Sequence, residues 1–242
     1  MTASPPVRML ADCLARLREG RVRVHALTSP VAAERTANTL LALNVRPSLT
    51  GNPPEVAGFV AAADALLVNL GMLDGTREAA LTPAIDAAGA AGRPWVLDPV
   101  FVDVSGPRRT LAATLLARGP AVLKLNGAEA AARLTAPAGT VIVTTGAIDR
   151  VDAGSRRLAI ANGHPLASRV TAAGCALGAV IAATSAVERD AAVASAAALA
   201  IYGVAAEIAA DASDGPGSFG WRLIDALAAL DPDTLMTRTQ LQ

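Results

Sequence analysis

One unit recurs along this chain and limits what it can fold into: a short apolar run, a polar residue or two at its end, then a stretch with helical spacing. Arg21 to Thr28 ends in His25-Ala26-Leu27-Thr28-Ser29, and Pro30 opens a helix that runs to residue 43. Ala65 to Leu70 is apolar except for Asn69, is bounded by Gly71 and precedes a helix over 75–91. Trp95-Val96-Leu97 leads into Asp98-Pro99-Val100, where the proline stops the ladder, and a helix over 107–118 follows. Ala121 to Leu125 leads into Asn126-Gly127-Ala128-Glu129, which opens a short helix, and Gly146 closes the β-branched run Thr140 to Thr145. Continuous apolar runs mark strands covered on both faces, and strands alternating with helices mark a parallel, doubly wound sheet. The predicted fold is α/β: one domain over 1–242, with a central, mostly parallel sheet and helices on both faces.

The remaining segments fit around that sheet. Ser4-Pro5-Pro6 reads as an N-cap with proline in the first turn, ahead of Val7, Leu10, Leu14 and Leu17 at helical spacing until Gly20. Asn44 is placed to end the second helix in the left-handed conformation. A short strand over 47–50 and a helix from Pro53 come next. Asp152-Ala153-Gly154 and Asn162-Gly163 are turn signals that predict a β-hairpin over 150–166. Three helices, over 174–187, 190–212 and 219–230, finish the chain.

Composition narrows the partners. Hydrophobic residues make up 52% of the chain but aromatic ones only 2%, so closely packed alanine-rich helices must fill the core. The uncharged run Ala191 to Ala206 falls short of the roughly 20 apolar residues that span a bilayer and reads as a buried helix. With 21 basic and 21 acidic residues the formal charge is zero. No long-range field favours nucleic acid or an anionic membrane, and small-molecule partners are expected. Cys13 and Cys175 lie far apart, with only His25 and His164 to join them, so neither a disulfide framework nor a zinc site is indicated. Arg8 and Asp12 interrupt the N-terminal pattern, so a cleavable leader is not expected and the cytoplasm is the expected compartment.

Asp98, Asn126, Glu129, Thr145 and Cys175 all fall at strand ends or at the helix starts just beyond them, positions that converge on one edge of such a sheet. Val170-Thr171-Ala172-Ala173-Gly174-Cys175 is a turn of small residues running into a helix. It aims free N–H groups and the positive end of the helix dipole at one point, which suits an anion. A thiol held there has its pKa lowered by the same field, although a small buried cysteine is the simpler account of those six residues alone. Asp98 reads either as a carboxylate near metal or phosphate or as a turn former, and His25 as a satisfied histidine at a strand end. Neither common nucleotide fingerprint is present. Carboxylates with an Asn amide suit Mg²⁺, largely through water, and threonine hydroxyls with a helix N-terminus suit phosphate oxygens. The chemistry that needs this set is phosphoryl transfer, in which positioning and charge neutralisation do most of the work.

The order of the motifs carries a further signal. Thr36-Ala37-Asn38 with Leu40-Leu41-Ala42, Asn69-Leu70-Gly71, Leu97-Asp98-Pro99-Val100 and Asn126-x-x-Glu129 are followed by Thr145-Gly146 with Asp149, Asn162-Gly163 and Thr171 with Gly174-Cys175. Tyr202-Gly203-Val204-Ala205-Ala206 and Gly215-Pro216-Gly217-Ser218-Phe219 complete the set. In this order and spacing the sequence resembles the hydroxyethylthiazole kinases, thiamine-salvage enzymes of the ribokinase-like superfamily, over nearly its whole length. The resemblance implies a three-layer α/β/α fold and a cytoplasmic, homotrimeric transferase. Such an enzyme uses ATP and Mg²⁺ to phosphorylate 5-(2-hydroxyethyl)-4-methylthiazole. It also implies Cys175 as base beside an anion hole at 172–175, and Arg108, Thr145, Asp98 and Gly174 at the ATP. Asp98 and Glu129 would lie near Mg²⁺, and Leu49, Asn38 and Ala172 at the substrate.

Several positions depart from the family pattern. Its Gly-x-Gly-Cys is Ala172-Ala173-Gly174-Cys175 here, unfavourable if the first position needs φ > 0. Its substrate-pocket methionine is Leu49, a volume-conserving exchange. Its Thr-Asn segment after the first strand is Thr28-Ser29-Pro30, and its small Gly-rich stretch after Pro99-Val100 is Phe101-Val102-Asp103-Val104. Between Glu129 and Thr140 the chain is much shorter than the family norm, so a helix near the nucleotide is trimmed. These changes leave two other readings open: a kinase of the same fold for a different small alcohol, and a non-catalytic ligand-binding relative.

Overall fold

The computed structural model describes residues 6–242, and the predicted cap at Ser4-Pro5 lies outside them. Among the described residues one sheet is built from β1 (Arg23–Leu27), β2 (Arg46–Ser48), β3 (Ala65–Asn69), β4 (Trp95–Asp98), β5 (Val122–Asn126), β6 (Val141–Thr145), β7 (Asp149–Ala153) and β8 (Arg156–Ile160). The strand order is β2-β1-β3-β4-β5-β6-β7-β8. The first six strands in sequence run parallel, and β7 and β8 are added antiparallel at one edge. The helices are α1 (Val7–Arg18), α2 (Pro30–Ala42), α3 (Pro53–Ala61), α4 (Gly75–Ala90), α5 (Gly106–Leu116), α6 (Gly127–Ala130), α7 (Ala173–Val187), α8 (Ala191–Asp211), α9 (Pro216–Ala229) and α10 (Pro232–Arg238).

Two apolar layers enclose the sheet. On one face α1, α2, α7, α8 and α9 bury Leu14, Leu40, Val180, Leu199 and Leu223 against Val24, Leu67, Val96 and Val122. On the other, α3, α4 and α5 bury Val56, Leu81, Ile85 and Leu115 against Leu66, Val68, Leu97 and Leu123. Neighbours such as Leu66 and Leu67 go to opposite layers, which is why the central strands read as unbroken apolar runs. Side-chain oxygens of Ser29, Asp74, Ser105, Asn126, Asp190 and Asp231 cap the helices that follow them.

α8 has 21 residues and is apolar enough to cross a membrane, longer than its uncharged run, yet 83% of its most apolar window is buried inside the fold. Its small side chains allow close approach. A Cβ on Gly203 would stand 2.7 Å from the carbonyl oxygen of Asn162, so the chain leaving β8 can lie directly on this helix only because residue 203 is glycine.

Some boundaries differ from the expectation. The hairpin ends at Ile160 with its turn at Gly154 (φ 61°). Asn162-Gly163 lies beyond it, followed by a 3-10 turn over Pro165–Arg169. α10 was not anticipated, although Asp231 before Pro232 is a cap followed by proline in the first turn. The final residues pair with the exposed edge of β8: Ala159 and Gln242 exchange backbone hydrogen bonds, and Gln240 N–H donates to Asn162 Oδ1. That cover explains how β8 closes the sheet without leaving a bare edge.

Candidate active site

α7 starts abruptly. Its N-cap is Ala172, held left-handed at φ 65°, and no side chain caps the helix. A non-glycine residue in that conformation costs about 1–2 kcal/mol, so the unfavourable backbone anticipated for Ala172 is what the structure contains. The uncapped first turn leaves the amides of Gly174 and Cys175 for another partner. α7 then crosses the middle of the sheet at short range: a Cβ on Gly178 would come within 3.2 Å of Leu67 and 3.4 Å of Asp98 Oδ2.

Beneath that helix start lies a buried polar group that sequence reasoning missed in part. Lys124, on the same face of β5 as Val122, is only 5% exposed, and its Nζ donates to Asp98 Oδ1 at 3.2 Å. The other carboxylate oxygen accepts from Asn69 Nδ2 at 2.7 Å, while Asn69 Oδ1 accepts from Gly71 N–H at 3.0 Å. The Lys124 ammonium also lies 3.4 Å from where a Cβ of Gly174 would be. The signal was available, because a lysine inside Val122-Leu123-Lys124-Leu125 can be buried only with an anionic partner. Burial works against the Lys124 charge, but Asp98, Cys175 and Glu129 outweigh it and its pKa is raised. Burial pushes the Asp98 carboxyl up, and Lys124 opposes this.

Cys175 is a free, half-buried thiol. Its pKa is raised, first by burial and then by the Asp98 charge, with Lys124 and the Asn69 amide pulling the other way. The helix-start argument for a lowered pKa is thereby overturned: desolvation of a thiolate beside a carboxylate outweighs the favourable field.

Glu129 is 3% exposed and fully engaged. Oε2 accepts from Asn126 N–H at 2.8 Å and Oε1 from Phe101 N–H at 2.9 Å, while Asn126 Oδ1 accepts from Glu129 N–H at 2.9 Å. This capping box ties the start of α6 to the loop after β4. That loop is strained, with φ 38° at Val100 and 62° at Phe101. The Glu129 bond holds it, as does Arg108, which donates to Val100 O at 2.6 Å and lies 6.0 Å from the Phe101 ring centre. Each oxygen of Asp98 and of Glu129 therefore already has a protein donor. Neither is free to bind a cation directly, and among the described residues no three His, Cys, Asp or Glu side chains gather as a metal site would require.

A cavity of about 570 Å³ opens beside the helix start. Asn126, Thr145, Asp149 and Asn162 supply its polar floor, and Ala173, Gly174 and Leu177 of α7 with Leu199, Tyr202 and Ala206 of α8 form the opposite wall. Thr145 is anchored through Oγ1 to Leu125 O at 3.3 Å. Thr145, Gly174 and Asn126 are thus gathered as the sequence anticipated. Arg108, Asp98, Glu129, Lys124, Ala172 and Cys175 are not themselves among the lining residues; Arg108 braces the 100–101 loop. Asn38, half-buried on α2, and Leu49, half-buried just after β2, lie toward the opposite end of the sheet. His25, under Leu49, is fully buried: its Nε2–H donates to Thr50 O at 3.0 Å and its Nδ1 accepts from Ser48 Oγ at 2.8 Å. It is the satisfied strand-end histidine that the sequence suggested.

A mostly parallel sheet, helices on both faces, and an uncapped helix start over a buried lysine beside a deep cavity define a ribokinase-like kinase. Fold comparison agrees. A ribokinase-like superfamily protein from Enterococcus faecalis matches at TM-score 0.59 and 14% identity, covering 90% of this chain and 93% of that one. An ADP complex of Bacillus subtilis pyridoxal kinase matches at 0.55 and 16%, covering 76% and 91%. The hydroxyethylthiazole kinase protein from Pyrococcus horikoshii matches at TM-score 0.92 and 33% identity over 97% of this chain and 98% of that one. A probable hydroxyethylthiazole kinase from Agrobacterium fabrum is 40% identical over 98% of this chain and 96% of its own length. The hydroxyethylthiazole kinase from Granulibacter bethesdensis is also 40% identical, over 90% of this chain and 89% of its own length. The model of the hydroxyethylthiazole kinase family matches residues 14–136 and 128–233. The chain belongs to the hydroxyethylthiazole kinase family and is an enzyme of the kinase class. The two matched segments overlap over 128–136, the stretch in which α6 stands before β6.

Proposed function

We propose that this protein transfers the γ-phosphoryl group of ATP to the primary alcohol of a small heterocycle, with 5-(2-hydroxyethyl)-4-methylthiazole as acceptor, in cytoplasmic thiamine salvage. The observation that carries the reading is the meeting of Gly174, Lys124, Asp98 and Cys175 at one uncapped helix start. ATP occupies the cavity with its phosphates on the α7 amides and the Lys124 ammonium, which Asp98 holds in place. The alcohol enters from the β1–β3 side, beside Cys175, Leu49, Asn38 and Ala172. Its oxygen bonds to the γ-phosphorus as the bond to the β–γ bridging oxygen breaks, ADP departs, and the hydroxyl proton leaves late to the transferred phosphate or solvent. A thiol with a raised pKa suits a positioning role, holding the hydroxyl in line, better than that of a thiolate base. Bound through the phosphates, Mg²⁺ would supply further charge neutralisation, with Glu129 and Asp98 holding its waters. Arg108 acts on the nucleotide indirectly, through the loop it braces.

Met72 and Phe101, 61% and 59% exposed after β3 and β4, border the acceptor side. A homotrimer in which a second copy covers them would complete that side. One observation favours a second reading, a different alcohol: the strained Ala172 places a methyl group where the family's glycine has none. ATP consumption with and without the thiazole alcohol, in wild type and Cys175→Ala, tests both. Turnover that needs the thiazole supports the first reading and turnover with another alcohol the second. Absence of both ATP binding and turnover refutes both.

A further inference from the structure

We propose that Asp149 reads the sugar of the nucleotide, its free carboxylate oxygen accepting a hydrogen bond from the ribose hydroxyls two strands away from the buried Lys124. The inference rests on placing a nucleotide in the cavity, as argued above. The cavity's polar floor steps across the sheet edge strand by strand: Asn126 ends β5, Thr145 ends β6, Asp149 begins β7 and Asn162 follows β8. The groups that suit phosphate, the Gly174 amide and Lys124, are at the β5 end. Strands lie about 4.8 Å apart, so β7 is about 10 Å further along, the distance at which a sugar follows its phosphates. The wall contributed by Leu177, Leu199 and Ala206 is apolar and suits the face of a base.

Asp149 is anchored for such a task. Its Oδ1 accepts from Gly146 N–H at 2.9 Å, which fixes the side chain across the turn between β6 and β7. Among the described residues Oδ2 has no hydrogen-bond partner. A carboxylate in a cavity that holds a polyphosphate repels it, unless it faces a neutral group rich in donors; a vicinal diol is such a group, and an acceptor-only carboxylate is its natural partner. Burial raises the Asp149 pKa to about 6, against the Gly146 amide and the Lys124 charge, so the acceptor form prevails at neutral pH.

Calorimetric titration of the full chain with Mg-ATP and with Mg-2′,3′-dideoxy-ATP, without acceptor alcohol, tests the proposal. Wild type should bind ATP roughly ten- to a hundredfold more tightly than the dideoxy nucleotide, the range expected for hydrogen bonds to a charged acceptor. Asp149→Asn, isosteric and still able to accept from Gly146, should bind both with the weaker affinity. Asp149→Ser serves as a second variant, with thermal melting as the check on folding. Equal wild-type affinities for the two nucleotides overturn the proposal and leave the nucleotide reading standing. A preference that survives in both variants also overturns it, by assigning the sugar to another group. Failure of wild type to bind either nucleotide removes this inference and the nucleotide reading together.

Discussion

On the β5–β8 side of α7 the crevice is walled by one chain: strand ends form its floor, two buried helices its wall, and the C-terminal residues lock the edge strand behind it. The β1–β3 side is exposed at its loops, while buried polar groups without partners occur on both sides, Tyr202 Oη in the cavity wall among them. Thr28 Oγ1 and Thr36 Oγ1 are buried with no hydrogen bond, and Met72 and Phe101 face outward from the loops after β3 and β4. The difference teaches where variation is tolerated. The enclosed side depends on a charge pair that fails if either member is lost, whereas the open side depends on loops whose residues already depart from the family pattern.

The largest effect is expected at the boundary between the sides. Lys124→Met should abolish measurable ATP binding and lower unfolding stability by about 3–5 kcal/mol, because Asp98 is left buried without its counter-charge. The double variant Lys124→Met with Asp98→Asn should recover most of the stability in denaturant titrations but none of the binding. Recovery of both would break the comparison, since the pair would then be structural only.

Next in size is Cys175→Ala, expected to lower kcat roughly a hundredfold, the low end for a group that handles or orients a reacting proton, with ATP affinity unchanged. Because the thiol's pKa is raised, a positioning role predicts a kcat that is flat between pH 7 and 9. A rise of kcat across that range, absent in the alanine variant, would restore the thiolate-base reading. Met72→Ser should raise the KM for the alcohol and reduce the mass seen by light scattering, with nucleotide binding untouched. A loss of ATP affinity there would show that the two sides are not separable.

Ala172→Gly should stabilise the protein by about 1 kcal/mol, since glycine takes positive φ without the Cβ penalty. It should also lower the KM for the thiazole if the methyl obstructs it, read from melting and steady-state kinetics. The smallest effect concerns His25. Burial lowers its pKa below 6.5, so the unfolded chain binds the proton more readily than the folded one. Stability is then intact above pH 6.5 and falls as the pH drops through it. The loss between pH 7 and 5.5 should be smaller in His25→Gln, measured by urea midpoints.

Much of the site was legible because it sits at strand ends, where a polar residue after an apolar run marks a place on the sheet edge. Asp98, Asn126, Glu129, Thr145 and Cys175 were found that way, whereas the capping box that Asn126 and Glu129 form is seen only in the structure. Lys124 was passed over because the run around it was counted as a buried strand, and nothing local names the carboxylate 26 positions earlier that makes its burial possible. Arg108 was placed at the nucleotide only as the family resemblance implies, and the fold adds that its side chain donates to the Val100 carbonyl. Asn162-Gly163 has the composition of a turn but lies beyond one, its course fixed by α8 at Gly203 and by the chain end.

The abrupt start of α7 shows where the division falls. By itself the sequence determined that a helix begins near residue 174 after a turn of small residues, that free N–H groups point from its start, and that a thiol stands there, because spacing and apolar period are local properties. Tertiary structure alone decided what that thiol is chemically. The burial that raises its pKa, the carboxylate and ammonium that compete over it, and the left-handed strain at Ala172 arise only when β3, β4, β5 and α7 are packed together. Electrostatic energies depend on distance and desolvation, and neither exists until the chain has folded.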